Sequence, residues 1–281
     1  MPELPEVEVV RRTIAREILG KVIEEVEVFW PGIITYPDDK EAFRLGLVGQ
    51  RITALNRKGK YLIIGIGEYA DLVVHFRMTG KFKRLPHEER FDKHIHLYFF
   101  FQNDPEGLAY HDVRKFGDLF LVPRGDYRMI KGLAQAGIDP LSPSFDYATF
   151  RTLLRERNRQ IKALLLDQRV IAGLGNYLCD EVLWFPGEKG VHPARLSGQL
   201  SEREMEGIYR RILEVIHHSI RLGGNSFRDF SYGDGIKGEF KRMLKVYGRK
   251  NEPCFNCGTP IVRERIAGRS THYCPACQPY Q

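Results

Sequence analysis

Cys254-Phe255-Asn256-Cys257 and Cys274-Pro275-Ala276-Cys277 stand near the end of the chain with sixteen residues between them. A Cys-x2-Cys turn aims two thiolates at one point, and two such turns complete a tetrahedron for zinc. Pro253, Gly258 and Pro275 supply the tight turns this needs. Four thiolates fill the coordination shell, so one zinc ion is expected here with a structural task, and catalysis must lie elsewhere. A pair of redox dithiols is the competing reading; in a reducing compartment the metal is favoured. Between the pairs, Arg263-Glu264-Arg265-Ile266-Ala267-Gly268-Arg269-Ser270-Thr271 reads as a β-hairpin with a basic tip. It is either a solvated charged turn or a face offered to nucleic acid. Residues 239–281 carry eight Lys/Arg against three Glu, and the whole segment reads as a C-terminal zinc ribbon. Cys179, the fifth cysteine, falls inside a helical pattern and reads as core.

Upstream of the ribbon the pattern is helical over 147–156, 160–168, 176–185 and 202–221. In the last, Ile208, Ile212, Val215, Ile216 and Leu222 share one face before Gly223-Gly224 stops it. The segment 137–146 holds two prolines and few apolar residues and reads as a linker. At the other end, Val7, Val10, Ile14 and Ile18 mark a helix over 5–19, ended by Gly20. Short β-branched and aromatic runs follow at 22–30, 51–57, 61–66, 72–76, 95–101 and 119–122, with one or two helical turns around 39–47. The expected fold is α+β and multidomain: a β-sandwich with a leading helix (1–136), the linker (137–146), a helical domain (147–238) and the ribbon (239–281).

At 281 residues, with 43% hydrophobic and 28% charged residues, the chain can bury a core without depending on its metal. The net charge of +7 and pI near 9.1 favour a polyanionic partner such as nucleic acid. The most apolar stretch, Leu97–Phe101, is strand-sized, and no secretory signal opens the chain, so a cytoplasmic protein without membrane spans is expected. Nothing marks an oligomer interface, and a monomer is expected.

Five segments, in order, carry a resemblance: Met1-Pro2-Glu3-Leu4-Pro5-Glu6-Val7-Glu8, Arg57-Lys58-Gly59-Lys60-Tyr61-Leu62, Asp112-Val113-Arg114-Lys115-Phe116-Gly117, Leu165 through Asn176, and Val246-Tyr247-Gly248-Arg249 leading into the ribbon. Across essentially its whole length the sequence resembles the formamidopyrimidine-DNA glycosylase family. The resemblance implies a helix-two-turn-helix arrangement for the helical domain. It also implies a bifunctional glycosylase and lyase of base excision repair, acting on double-stranded DNA that contains oxidised purines or abasic sites.

It further implies roles. Pro2, freed by removal of Met1, is the nucleophile; its secondary amine forms an iminium at the sugar, which acidifies the neighbouring C2′ proton and permits strand cleavage. An α-amino group titrates near ~8, leaving a neutral fraction at physiological pH. Glu3 is the general acid and base, and Glu6 supports the reaction centre. Lys60 is the proton donor in β-elimination, and Arg269 serves δ-elimination and the lesion phosphate. Met78, Arg114 and Phe116 fill the space left by a flipped nucleotide. His94, Arg157, Lys162 and Asn176 contact the DNA backbone. On residue type alone, Glu3, Glu6 and Glu8 would only complement a helix N-terminus. Lys60 and Arg269 would be surface charges, and Met78 and Phe116 core.

The match departs at Asn176-Tyr177-Leu178-Cys179-Asp180-Glu181, where the family usually continues Asn-Ile-Tyr-Ala-Asp-Glu. It departs in the following Trp184–Pro193 stretch, longer than the usual loop, and at Asn225, where Ser or Thr is usual. These changes bear on base preference rather than reaction type. The alternatives are an endonuclease VIII-type enzyme for oxidised pyrimidines, a non-catalytic damage binder on the same scaffold, and a zinc-ribbon adaptor unrelated to repair.

Overall fold

A computed structural model describes residues 1–225 and 238–280. The chain forms two compact units, Met1–Ala134 with Leu222–Glu239, and Gln135–Arg221 with Phe240–Gln281.

In the first unit, helix α1 spans Leu4–Ile18. Glu3 caps it with extended backbone, Pro5 sits in its first turn where a missing N–H costs nothing, and Glu6 reaches back to the Glu3 amide at 2.8 Å. Its buried stripe of Val7, Val10, Ile14 and Ile18 enters the main core; each such side chain contributes roughly 1.5–3 kcal/mol on burial. Strands β1 (Ile23–Val28), β2 (Ile34–Tyr36), β3 (Ile52–Lys58), β4 (Tyr61–Ile66), β5 (Ala70–His75), β6 (Lys81–Pro86), β7 (Ile95–Phe101), β8 (Glu106–His111) and β9 (Asp118–Pro123) follow, with α2 (Lys40–Leu45) after β2 and α3 (Lys131–Ala134) after β9.

The strands make two sheets, ordered β1-β7-β8-β6 and β2-β9-β5-β4-β3. All pairings are antiparallel except β2 with β9. Leu62, Ile64, Leu72 and Val74 from one sheet meet Leu97, Phe99, Phe101 and Leu108 from the other in a common core, as a sandwich requires. Ile63, Val73, Phe120 and Val122 point the opposite way and pack on Ile130 and Leu133. This second cover explains why β4 and β5 are apolar along nearly their whole length.

Three strands lie outside the runs expected from the sequence. In β6, Lys81, Lys83 and Arg84 mask the buried Phe82 and Leu85. In β8, Gly107 breaks the β-branched pattern, yet the sheet needs it: a Cβ there would sit 2.3 Å from the Tyr98 ring. β2 has only three residues.

In the second unit, α4 (Tyr147–Arg155), α5 (Ile161–Leu166), α6 (Asn176–Leu183) and α7 (Glu202–Arg221) follow the helical pattern, α7 over the expected span. β10 (Val262–Ile266) and β11 (Arg269–Tyr273) form the expected hairpin. Its two-residue turn has Ala267 at φ 51° and Gly268 at φ 72°, the backbone twist that suits a tight antiparallel ribbon. Cys179 is fully buried in α6.

The segment 137–146, expected as a linker, is packed. Ile138 bridges Ile171, and buried Phe145 lies against Phe150 and Tyr209. Its few apolar side chains are all it needs, because its prolines and Asp139 shape the turns between them. Helices and ribbon also share one unit. Glu181 accepts backbone N–H bonds from Lys245, Val246 and Tyr247 at 2.8–2.9 Å, and Gln278 donates to the carbonyls of Leu183 and Val191 at 3.0 Å.

Candidate active site and nucleic-acid interface

In the first unit, Pro2, Glu3 and Glu6 are buried at the start of α1. The Glu6 carboxylate is divided between two backbone donors: Oε2 accepts from Glu3 N and Oε1 from Asn225 N, each at 2.8 Å. The chain carries Met1, so its terminal amine stands one residue ahead of Pro2. Burial lowers that amine's pKa below its ordinary value; Glu3 and Glu6 oppose the shift, and the cations Lys60 and Arg114 add to it. These surroundings therefore favour the neutral form of that amine.

Lys60 is 8% exposed on the β3–β4 turn. Gly59 takes φ 56° there, and Arg57 Nη1 donates to its carbonyl at 2.9 Å. The same arginine bonds Glu8 of α1 through Nε at 3.2 Å, so the turn carrying Lys60 is tied to the helix carrying the carboxylates. His75 pairs in register with Tyr61, the residue after Lys60. Burial, with Arg77 and Lys60 acting the same way, lowers its pKa to about 3, so it is neutral across the physiological range. Its Nδ1 is buried without a partner. Sequence reasoning missed His75, because a lone histidine closing an apolar strand carries no signal.

Met78, Arg114 and Phe116 stand together on one rim. Met78 is 39% exposed and Phe116 51%, which excludes the core reading for both. The Arg114 guanidinium lies 4.6 Å over the Phe116 ring. Asp112, fully buried, organises this loop: it accepts from the backbone N–H of Arg114 (3.1 Å), Phe116 (2.9 Å) and Gly117 (2.8 Å), and from the Thr79 hydroxyl next to Met78. Arg77 at φ 50° and Lys115 at φ 56° flank the exposed side chains in left-handed backbone, and the Asp112 bonds to Arg114 N and Phe116 N bracket Lys115. Asp112 belongs to a quoted motif, yet only the fold reveals it as the residue that positions the rim. His94 is half-buried beside the His111 ring, its amide held by Asp92 at 2.7 Å.

In the second unit, Arg269 is exposed as the first residue of β11. Asn176 opens α6; its Nδ2 donates to Ser270 O at 2.8 Å, and its Oδ1 is buried without a partner. Arg157 is half-buried and bonds Leu153 O and Glu156. Lys162 requires a correction. Expected on the DNA backbone, it is completely buried, and its three protons meet Asp180 Oδ1 (2.5 Å), Thr271 Oγ1 (2.7 Å) and Ser270 O (3.3 Å). Asp180 also receives His272 N at 2.9 Å. Lys162 thus holds the hairpin next to Arg269 and Asn176, and no valence is left for a phosphate.

The four cysteine sulfurs lie within 4.8 Å of one another, with S···S separations of 3.9, 3.6 and 3.4 Å. A tetrahedral zinc with Zn–S near 2.3 Å sets sulfurs about 3.8 Å apart, so the cluster fits one structural zinc. Trp184 Nε1 donates to Cys254 Sγ at 3.4 Å. Beyond α6, Gly187 N and Phe185 O both bond the Asn256 side chain, at 3.0 and 2.6 Å, and Gly190 N bonds Cys277 O at 2.9 Å. The unusual Trp184–Pro193 stretch is a seat for the ribbon.

Three family models cover the chain in succession: the formamidopyrimidine-DNA glycosylase N-terminal domain over 1–119, its H2TH domain over 136–231, and the zinc finger found in FPG and IleRS over 251–279. The chain belongs to the formamidopyrimidine-DNA glycosylase family. It is 42% identical to the Geobacillus kaustophilus formamidopyrimidine-DNA glycosylase, over 99% of this chain and 100% of that one. Among solved structures it resembles a point mutant of Lactococcus lactis FPG complexed with Fapy-dG-containing DNA, with TM-score 0.89, 38% identity, and coverage of 99% and 100%. It likewise resembles wild-type Lactococcus lactis FPG complexed with oxidised-pyrimidine-containing DNA, with TM-score 0.88, 37% identity and the same coverage. Among the described residues no helix is long and apolar enough to cross a membrane.

Proposed function

We propose that this family member is a bifunctional DNA glycosylase of base excision repair: it removes oxidised purines such as 8-oxoguanine and formamidopyrimidines, then cleaves the strand by β,δ-elimination. The observation that carries the reading is the chain start itself, where Pro2, Glu3 and Glu6 are buried together and the Glu6 carboxylate holds the Glu3 amide at 2.8 Å. With Met1 removed, the neutral amine of Pro2 attacks C1′ of the damaged nucleotide. The C1′–base bond breaks, and the base departs with a proton from Glu3. The prolyl nitrogen then loses its proton and the C1′–O4′ bond opens, O4′ taking up a proton, which leaves an iminium. This acidifies C2′–H, whose loss expels the 3′ phosphate, with Lys60 moving the proton, and loss of C4′–H in a second elimination assisted by Arg269 expels the 5′ phosphate. Glu6 holds the Glu3 backbone in place. Met78, Arg114 and Phe116 enter the duplex where the nucleotide leaves, while His94, Arg157 and Asn176 grip the backbone. The zinc ion shapes the ribbon and takes no part in bond changes. The protein acts as a monomer in the bacterial cytoplasm, on chromosomal DNA; the basic surplus of +7 supports that partner.

Borohydride trapping on duplexes with 8-oxoguanine, formamidopyrimidine, an oxidised pyrimidine or an abasic site tests this. A covalent complex through Pro2 is expected with the purine lesions and the abasic site, and Glu3→Gln abolishes base release. Trapping only on the oxidised pyrimidine would replace the purine preference. No trapping on any duplex would sink the enzyme reading.

A further inference from the structure

We propose that Tyr110 is a positioning residue for the rim: its phenol oxygen, set against Gly80 and Gly117, fixes the spacing of the two loops that carry Met78 and Phe116. The inference rests on the reading above that these side chains enter the duplex where the nucleotide leaves. Tyr110 lies on β8 with no solvent exposure, and its hydroxyl has no hydrogen-bond partner among the described residues. Buried polar atoms are nearly always paired, so an orphaned hydroxyl calls for a reason. The ring has its own task. It stacks with Phe76, centroids 6.4 Å apart, and meets Phe82 edge-on at 5.4 Å. Phenylalanine would keep both contacts without burying an unpaired hydroxyl, so stability alone does not explain the oxygen.

The neighbours of that oxygen do explain it. Gly80 stands two residues after Met78, and Gly117 directly follows Phe116. A Cβ on either glycine would run into the Tyr110 oxygen. Neither glycine takes positive φ, so backbone conformation alone would admit a side chain at both positions. The phenol is what excludes one. A single oxygen therefore limits how closely both loops approach.

This stop opposes a pull. The Asp112 carboxylate draws the same two loops together, accepting from the Thr79 hydroxyl on one and from the amides of Phe116 and Gly117 on the other. Gly80 N donates to Phe76 O at 3.0 Å and closes the turn that carries Met78. Hydrogen bonds accept a range of lengths of about 0.5 Å, whereas repulsion at contact is steep. Attraction at Asp112 against the stop at Tyr110 defines one separation between the mounts of Met78 and Phe116, and both side chains must enter the stack at that separation.

The test compares Tyr110→Phe, the double variant Tyr110→Phe/Gly117→Ala, and Phe116→Ala with wild type. The readouts are thermal unfolding, single-turnover excision of 8-oxoguanine, cleavage of a pre-formed abasic site, and the fluorescence of 2-aminopurine placed beside the lesion, which brightens as stacking breaks. In Tyr110→Phe, Tm holds or rises, the ratio of excision to abasic-site cleavage falls about fivefold, and the 2-aminopurine signal on binding drops. In the double variant the alanine methyl occupies the space of the lost oxygen, and the ratio recovers. A wild-type ratio and signal in Tyr110→Phe overturn the inference, and so does a loss that comes with a lowered Tm. A double variant that keeps its Tm without recovering would assign the loss to hydrogen bonding by the hydroxyl and overturn the spacer role. If Phe116→Ala also leaves the ratio unchanged, the wedge reading falls, and the inference with it.

Discussion

The ammonium of Lys162 lies 2.5 Å from Asp180 Oδ1, and neither side chain has any solvent exposure. The pair joins α5 to α6, and through Thr271 it reaches the hairpin: Lys162 donates to Thr271 Oγ1, which donates to Arg269 O at 3.1 Å. Removing one partner of a buried pair strands the other. Lys162→Met is therefore expected to cost about 3–5 kcal/mol in urea unfolding, and Asp180→Leu in the same chain recovers part of it. Because Lys162 meets no phosphate, the slope of log affinity against log salt for an abasic-analogue duplex stays at the wild-type value. A slope smaller by about 0.9 would show that a phosphate contact had been lost.

Glu8 gives a stability effect with a defined pH window. Burial raises its pKa, but hydrogen bonds from Arg11 and Arg12, with the charges of Arg11 and Arg57, overcome this and lower it from 4.5 to about 2. A carboxylate with a depressed folded pKa stabilises above its unfolded value and loses that contribution as pH falls towards the folded one. The contribution, on the order of 2 kcal/mol, is complete above about pH 5 and gone near pH 2. Glu8→Gln should lower stability at pH 7 by about that amount and flatten the acid limb between pH 5 and 2, followed by denaturant midpoints. An unchanged acid limb would remove Glu8 from the account.

The two preceding networks show where sequence patterns stop. The thiol quartet, the α1 stripe and α7 were legible because their signals are local: fixed spacing, or apolar residues on one face of a helix. Met78 and Phe116 could not be told from core residues, because exposure depends on the Asp112–Thr79 clamp across two loops. The resemblance alone puts Lys162 on the DNA backbone; the partners that bury it lie 18 and 109 positions away in the sequence, beyond any local pattern. β6 hid behind its lysines and arginine, and β8 behind a glycine that the Tyr98 ring imposes from a neighbouring strand.

Zinc removal has an optical reporter. Trp184 is buried with Val246, Ile261 and three of the cysteines, and its indole N–H faces Cys254. Structural zinc and ribbon folding are coupled. The chain has two tryptophans, so Trp30→Phe isolates this one. Chelation should release one zinc per chain and shift Trp184 emission to the red, with reversal on re-addition. Loss of zinc with unchanged emission would uncouple the metal from this core.

Phe116 is half-exposed, so Phe116→Ala should change stability by less than about 0.5 kcal/mol. If it occupies the space of a flipped nucleotide, the variant loses about tenfold more activity on an intact lesion than on an abasic site, where less stacking is broken. Equal losses on the two duplexes would assign Phe116 to general DNA binding.

The Ala267-Gly268 turn has a consequence for how this chain can vary. Because successive strand residues face opposite sides, a one-residue slip of β11 against β10, as an insertion not absorbed within the loop would cause, would reverse the facing of all of β11. Arg269 would turn away from its present side, and Thr271 and His272 would exchange the positions from which they meet Lys162 and Asp180. The loop is thus a measured spacer, and its residues are restricted as well: at φ 51° and 72° the two positions favour Gly, Asn and Asp.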